Sequence, residues 1–226
     1  MAQISKLGPD HNGNDVFSII LESDLLEAQI LNFGATLKNL RFLESGSSLV
    51  LGYQNLEEYL NDKNYAGVTI GRYANRISNG RYFSNSKQFD LDKNECLTTL
   101  HGGSQSCHNA PWLIQDCKRN YVELAYQFKD GDMGFGGDLS VNLRYDLNGP
   151  NLRLTIEANT SESSLCNFTN HSYFNLDCSD NIKNHCLSIK SNKIVEVNEN
   201  KLPTGKLKSV DLSLIHISEP TRRKRI

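Results

Sequence analysis

The sequence predicts an all-β protein built as an antiparallel sandwich or barrel. Three observations carry that reading: three runs alternate apolar and polar residues with period two, turn-forming residues break them up, and only one short segment has a helical pattern. In the first run Val122, Leu124, Tyr126 and Phe128 alternate with Glu123, Ala125 and Gln127. In the second Leu139, Val141, Leu143, Tyr145 and Leu147 alternate with Ser140, Asn142, Arg144 and Asp146. In the third Leu152, Leu154, Ile156 and Ala158 alternate with Arg153, Thr155, Glu157 and Asn159. Period two sends each apolar set to one face of a sheet. Asn148, Gly149, Pro150 and Asn151 separate the last two runs and read as a turn. The three runs predict an antiparallel meander with one wet face.

Weaker alternation predicts strands over residues 17–21, 25–32 and 37–42, with Asn32, Phe33, Gly34 and Ala35 forming a bulge or tight corner between the last two. Residues 55–60 carry the single helical hint. Beyond the meander, strands are expected over 187–190 and 194–197. With no repeat, linker or low-complexity stretch, one domain is expected over 1–212. From Ser213 the character changes to a basic tail, 213–226, which resembles translated sequencing-adapter read-through and is expected to be artefactual or disordered.

The chain has 226 residues and a formal charge of -2. The tail contributes +3, which leaves -5 on the body. That balance argues against nucleic acid or a membrane surface as partner and suits a neutral ligand. No stretch approaches the roughly 18 apolar residues of a membrane helix, and the first residues do not read as a secretory signal. The six cysteines form no CxxC pair and are expected to be reduced thiols in the cytoplasm. No carboxylate or cysteine lies at ligand spacing from the histidines to complete a metal site, and no phosphate loop or dinucleotide fingerprint is present. No cofactor is predicted.

Three polar clusters stand beside the apolar runs: Gly71-Arg72-Tyr73-Ala74-Asn75-Arg76-Ile77, Leu100-His101-Gly102-Gly103, and Asn167-Phe168-Thr169-Asn170-His171-Ser172-Tyr173-Phe174-Asn175-Leu176. Their types, order and spacing resemble the aldose 1-epimerase (galactose mutarotase) family. Asn32 to Ala35, Trp112, Gly134 to Leu139 and Leu202 to Gly205 add to the resemblance, which runs from about residue 15 to about residue 208.

The resemblance implies a cofactor-free antiparallel β-sandwich of the galactose mutarotase type that interconverts the α and β anomers of free hexoses. A base removes the C1 hydroxyl proton, an acid protonates the ring oxygen, and the opened sugar rotates about C1–C2 before closing on the other face. In the family the acid is the histidine of the Asn-His-Ser-Tyr motif, here His171; histidine titrates near working pH without much tuning. The Leu-His-Gly-Gly histidine, here His101, assists at the ring oxygen and orients the sugar. Asn75 and Arg76 are expected to bind sugar hydroxyls, and Ser172 and Tyr173 to line the pocket. Arg72 stays open between sugar contact and structure. Phe168 and Phe174 are expected to pack the core beneath the site, and His11, His108, His185 and His216 carry no motif.

The family's base is a glutamate, preceded by an aspartate in a Gly-aromatic-Asp-His-Asn stretch. Neither stretch occurs here, and the surroundings of Asp211 and Glu219 do not match them. The resemblance therefore implies an incomplete sandwich without its base, inactive as given. Two rivals are an epimerase of hexose 6-phosphates, which needs extra cations around the phosphate, and a non-catalytic sugar-binding module, which has little need for both histidines.

Overall fold

A computed structural model describes residues 3–177 and 179–210. They form two compact units, which meet in sequence between Asn184 and His185. The tail set apart in the sequence, 213–226, lies outside the described residues.

The first unit opens with a five-stranded antiparallel sheet of β1 (Gln3–Pro9), β2 (Asp15–Glu22), β3 (Leu26–Leu31), β4 (Thr36–Phe42) and β5 (Ser47–Ser48), in that order. Between β3 and β4 the expected corner is present: Gly34 and Ala35 both have left-handed φ, and the β3–β4 register also slips at Gln29/Ile30. The only α-helix among the described residues, α1 (Leu56–Leu60), starts in a capping box between Asn55 and Glu58. Short strands follow: β6 (Thr69–Ile70), β7 (Arg76–Ile77), β8 (Arg81–Ser84), β9 (Lys87–Asp90) and β10 (Thr99–Leu100).

The predicted meander is a four-stranded antiparallel sheet of β11 (Leu113–Lys118), β12 (Tyr121–Phe128), β13 (Leu139–Asn148) and β14 (Asn151–Thr160). Its alternation behaves as period two requires. Leu139, Val141, Leu143, Tyr145 and Leu147 are each 1% exposed, while Ser140 and Asn142 face water. Gly149 and Pro150 close the β13–β14 hairpin, with Asn148 opposite Asn151.

The two sheets share one core. Ile19, Leu21, Ala28, Ile30 and Leu37 of the first pack with Val122, Leu124, Val141 and Leu143 of the second. Trp112, fully enclosed, donates its indole N–H to the Cys107 carbonyl at 3.0 Å. Tyr145 reaches from β13 to donate its hydroxyl to the Ala35 carbonyl at 2.9 Å. Antiparallel sheets sharing a core, with almost no helix, make the β-sandwich that the sequence predicts. The unit also contains β15 (Thr169–Asn170), which pairs with β6.

The second unit contributes a hairpin of β16 (Lys193–Val197) and β17 (Pro203–Ser209). The strand expected over 187–190 does not form. Leu187 and Ile189 alternate with polar neighbours, but they are 82% and 69% exposed and pair with no strand among the described residues. Alternation without a ladder partner does not make a strand.

Candidate active site

The site is assembled from two short ladders. β15 pairs with β6, and the ladder continues one residue further, where the His171 N–H donates to the Val68 carbonyl at 2.9 Å. Asn170 fixes this stretch. Its amide donates to the Gly67 carbonyl at 2.9 Å and to the Tyr145 hydroxyl at 3.1 Å, and its carbonyl oxygen accepts the N–H of Ser172 at 3.0 Å. The Ser172 hydroxyl also donates to Asn170. Ser172 is thus turned toward Asn170 and clamps the loop that carries His171. Tyr173 donates its hydroxyl to the Asn64 carbonyl at 2.8 Å, and its ring centroid lies 5.1 Å from that of His171.

The second ladder, β7 with β10, places Arg76 opposite Leu100. At its end His101 and Asn75 bind each other twice: the His101 N–H donates to the Asn75 carbonyl at 3.1 Å, and the Asn75 N–H donates to His101 Nδ1 at 3.0 Å. Both residues have left-handed φ, 55° and 70°. Asparagine tolerates that region better than histidine does, and the reciprocal pair holds both there. Gly102 must be glycine, since its φ is 82° and a Cβ would overlap the Gly71 carbonyl.

These ladders bring His101 and His171 together, edge to face, with ring centroids 5.4 Å apart. Burial, followed by the neighbouring His171 and Arg76, lowers the His101 pKa to about 4. With Nδ1 accepting, the neutral ring carries its proton on Nε2 and presents a hydrogen-bond donor. Arg76 donates from Nε and Nη2 to the two carboxylate oxygens of Glu95, at 2.6 and 2.7 Å, and this pairing raises its pKa. Asn75, which is exposed, sits beside it.

Three participants were not legible in the sequence. Tyr65, with a φ of 60°, packs its ring against His101, His108 and His171 at 4.7, 5.1 and 5.7 Å. Burial, then the Glu95 and Asp62 carboxylates, raises its pKa. Asp62 shapes the loop that presents it, accepting from the Tyr53 hydroxyl and from the N–H groups of Asn64 and Ala66. His108, assigned no motif, is buried against Tyr65, and burial lowers its pKa to about 4. Glu95 completes the set. No sequence motif announces any of the three.

Arg72 resolves as structural. It is 1% exposed, donates to the carbonyls of Gly136 and Gly137, and lies over the rings of Phe128 and Phe135. Phe168 packs against the core as expected. Phe174 does not: it is 53% exposed, because its backbone bridges to Val50 at the sheet edge. Among the described residues, no group of three or more His, Cys, Asp or Glu is placed to hold a metal.

The arrangement offers a neutral imidazole donor, a second imidazole beside it, a paired guanidinium and aromatic walls. Such a site suits a polyhydroxylated ligand whose oxygens accept and donate hydrogen bonds. The family model described as aldose 1-epimerase matches residues 18–223. The chain is 34% identical to human galactose mutarotase over 92% of its own length, and 34% identical to Escherichia coli aldose 1-epimerase over 80%. It spans 62% and 54% of those two proteins. Among solved structures, a GalM/aldose epimerase homologue from C. elegans aligns with a TM-score of 0.82 at 33% identity, covering 86% of this chain and 61% of that one. Galactose 1-epimerase from Lactobacillus acidophilus aligns at 0.81 and 25% identity, covering 93% of this chain and 63% of that one.

Proposed function

The chain belongs to the aldose 1-epimerase family, and from that premise we propose that it carries the acid side of a site that interconverts the anomers of a free aldose. The observation that carries this reading is the His101–His171 pair, seventy positions apart in sequence and 5.4 Å apart between ring centroids. His101 stays neutral and so serves as a hydrogen-bond donor to the ring oxygen. We assign the transferred proton to His171. As that proton reaches the ring oxygen, the C1–O bond breaks and the C1 hydroxyl loses its proton to a base, leaving an open-chain aldehyde. Rotation about C1–C2 and reversal of the transfers give the other anomer. Asn75 and Arg76 hold hydroxyls on the rim, and Tyr173 and Tyr65 wall the pocket. Ser172 contributes by fixing Asn170.

We further infer that the base is not supplied by residues 1–226, because the stretches that carry it in the family have no counterpart here. A cytosolic location belongs to the same proposal, supported by the free thiols of Cys96, Cys107, Cys117, Cys166 and Cys186. The experiment is polarimetry of freshly dissolved α-galactose, with the 226-residue chain and with a version extended to the length of its relatives. The extended protein should accelerate mutarotation and His171→Ala should cost about 10²–10⁴-fold in turnover, while the 226-residue chain should not exceed solvent. An extended protein that is inert, or indifferent to His171→Ala, overturns the assignment. Activity in the 226-residue chain overturns the inference about the base.

A further inference from the structure

Glu95 is the one carboxylate that engages Arg76 among the described residues, and it does so through two parallel hydrogen bonds. The loop that carries it is built for the purpose. Glu95 and Thr98 exchange backbone hydrogen bonds, at 3.2 and 2.9 Å. The Thr98 hydroxyl donates to the Glu95 carbonyl at 2.8 Å and to Oε2 at 3.2 Å. Asn94 ties the same loop to β10, accepting the Leu100 N–H at 2.7 Å and donating to the Leu100 carbonyl at 2.9 Å. Thr99 donates its hydroxyl to the Asp92 carbonyl at 2.6 Å. The carboxylate is therefore held in place before any ligand arrives.

This placement has an electrostatic consequence. A guanidinium at the mouth of a sugar site is a natural anchor for a phosphate, which it grips through the same fork that grips a carboxylate. Here Nε and Nη2 are committed to Glu95, and the pair has no net charge. The Arg76 side chain is 16% exposed and that of Glu95 37% exposed, so an arriving anion meets the carboxylate as well as the cation. A neutral hydroxyl meets no such repulsion. It can accept from Nη1, which makes a long 3.5 Å approach to Asn75 Oδ1, or donate to a Glu95 oxygen.

We propose that Glu95 is a specificity-determining residue: by occupying the Arg76 fork it restricts the site to uncharged sugars and excludes sugar phosphates. The proposal rests on the sugar-site reading above and deepens it by naming the substrate class and the group that selects it. It adds a repulsive element to an otherwise attractive pocket, which is how discrimination between similar ligands is commonly achieved.

The test uses the 226-residue chain, with glucose, glucose 6-phosphate and inorganic phosphate as probes. Binding is followed by calorimetry and by the Arg76 Nε–H resonance. The wild-type chain should show an Arg76 response to glucose and none to glucose 6-phosphate or phosphate at equal concentration. Glu95→Gln keeps the shape and removes the charge, so it should bind both anions about tenfold more tightly at low salt. The gain should disappear in the Glu95→Gln/Arg76→Gln double variant. Equal anion affinity in wild type and Glu95→Gln overturns the proposal, and so does a gain that survives loss of Arg76. If Glu95→Gln does not fold, the wild-type chain decides alone: glucose 6-phosphate bound at Arg76 as tightly as glucose overturns it. Anion responses as expected with no response to glucose would sink the sugar-site reading and leave the Glu95 gate standing.

Discussion

His101 and Asn75 each donate a backbone N–H to the other, and the acceptor on His101 is its own ring nitrogen, Nδ1, at 3.0 Å. A backbone contact thereby sets the tautomer of a side chain. The first prediction follows from it. Nitrogen-15 NMR of the imidazoles should show His101 neutral and protonated at Nε2 through pH 5 to 8, titrating near pH 4. A His101 that titrates near its ordinary 6.5 would mean that the ring is solvated and the Asn75 contact is not kept in solution.

Acid should destabilise the fold between pH 6.5 and pH 4. His101 and His108 have folded pKa values of about 4 against an ordinary 6.5. In that window the unfolded chain takes up protons that the folded chain refuses, so stability is fully present above 6.5 and declines as pH falls toward 4. For buried His108 the loss is at most about 3 kcal/mol; for the more open His101, solvent screening makes it smaller. Urea midpoints at pH 7, 6, 5 and 4 measure this. His108→Phe should flatten the dependence, and an unchanged slope in that variant would contradict the assignment.

Gly102→Ala should damage both stability and site. The new Cβ meets backbone, not a flexible side chain, at a φ that suits only glycine. The cost should exceed about 1 kcal/mol, seen as a lower urea midpoint with an unchanged denaturant slope. The His101 resonances should move with it, because Gly102 follows His101 directly. A variant of wild-type stability would show that the Gly71 carbonyl yields more easily than its packing indicates.

Arg72→Lys should cost about 1–3 kcal/mol although charge is conserved. One ammonium cannot span the carbonyls of Gly136 and Gly137 while covering Phe128 and Phe135 as the planar guanidinium does. The urea midpoint checks it. A neutral substitution would place Arg72 outside the framework that supports the motif of Asn75 and Arg76.

What the sequence disclosed and what it withheld follow from the reach of each interaction. The alternation of residues 122–128, 139–147 and 152–158 is local, and it specified strands, faces and hairpin. The β11 strand escaped because its register slips between Ile114 and Asp116, which spoils the period. Strand β1 escaped because Gly8 interrupts a run with only Ile4 and Leu7 to mark it. At the site, His101, His171, Asn75 and Arg76 carry motifs, and the His101 ring lies beside that of His171 and against the Asn75 backbone. Tyr65, Glu95 and His108 carry none, since Tyr65 and Glu95 sit on the loops shaped by Asp62 and Asn94, and His108 meets Tyr65 from the separate turn Cys107–Asn109.

The central claim is that His101 and His171 face one sugar. Titrating the 226-residue chain with galactose, while following imidazole resonances of all its histidines, tests it most directly. The account predicts weak, saturable shifts at His101 and His171 together, strongly reduced in Arg76→Ala, with His11 unmoved. Shifts absent up to saturating sugar, confined to one of the two rings, or indifferent to Arg76→Ala would contradict it.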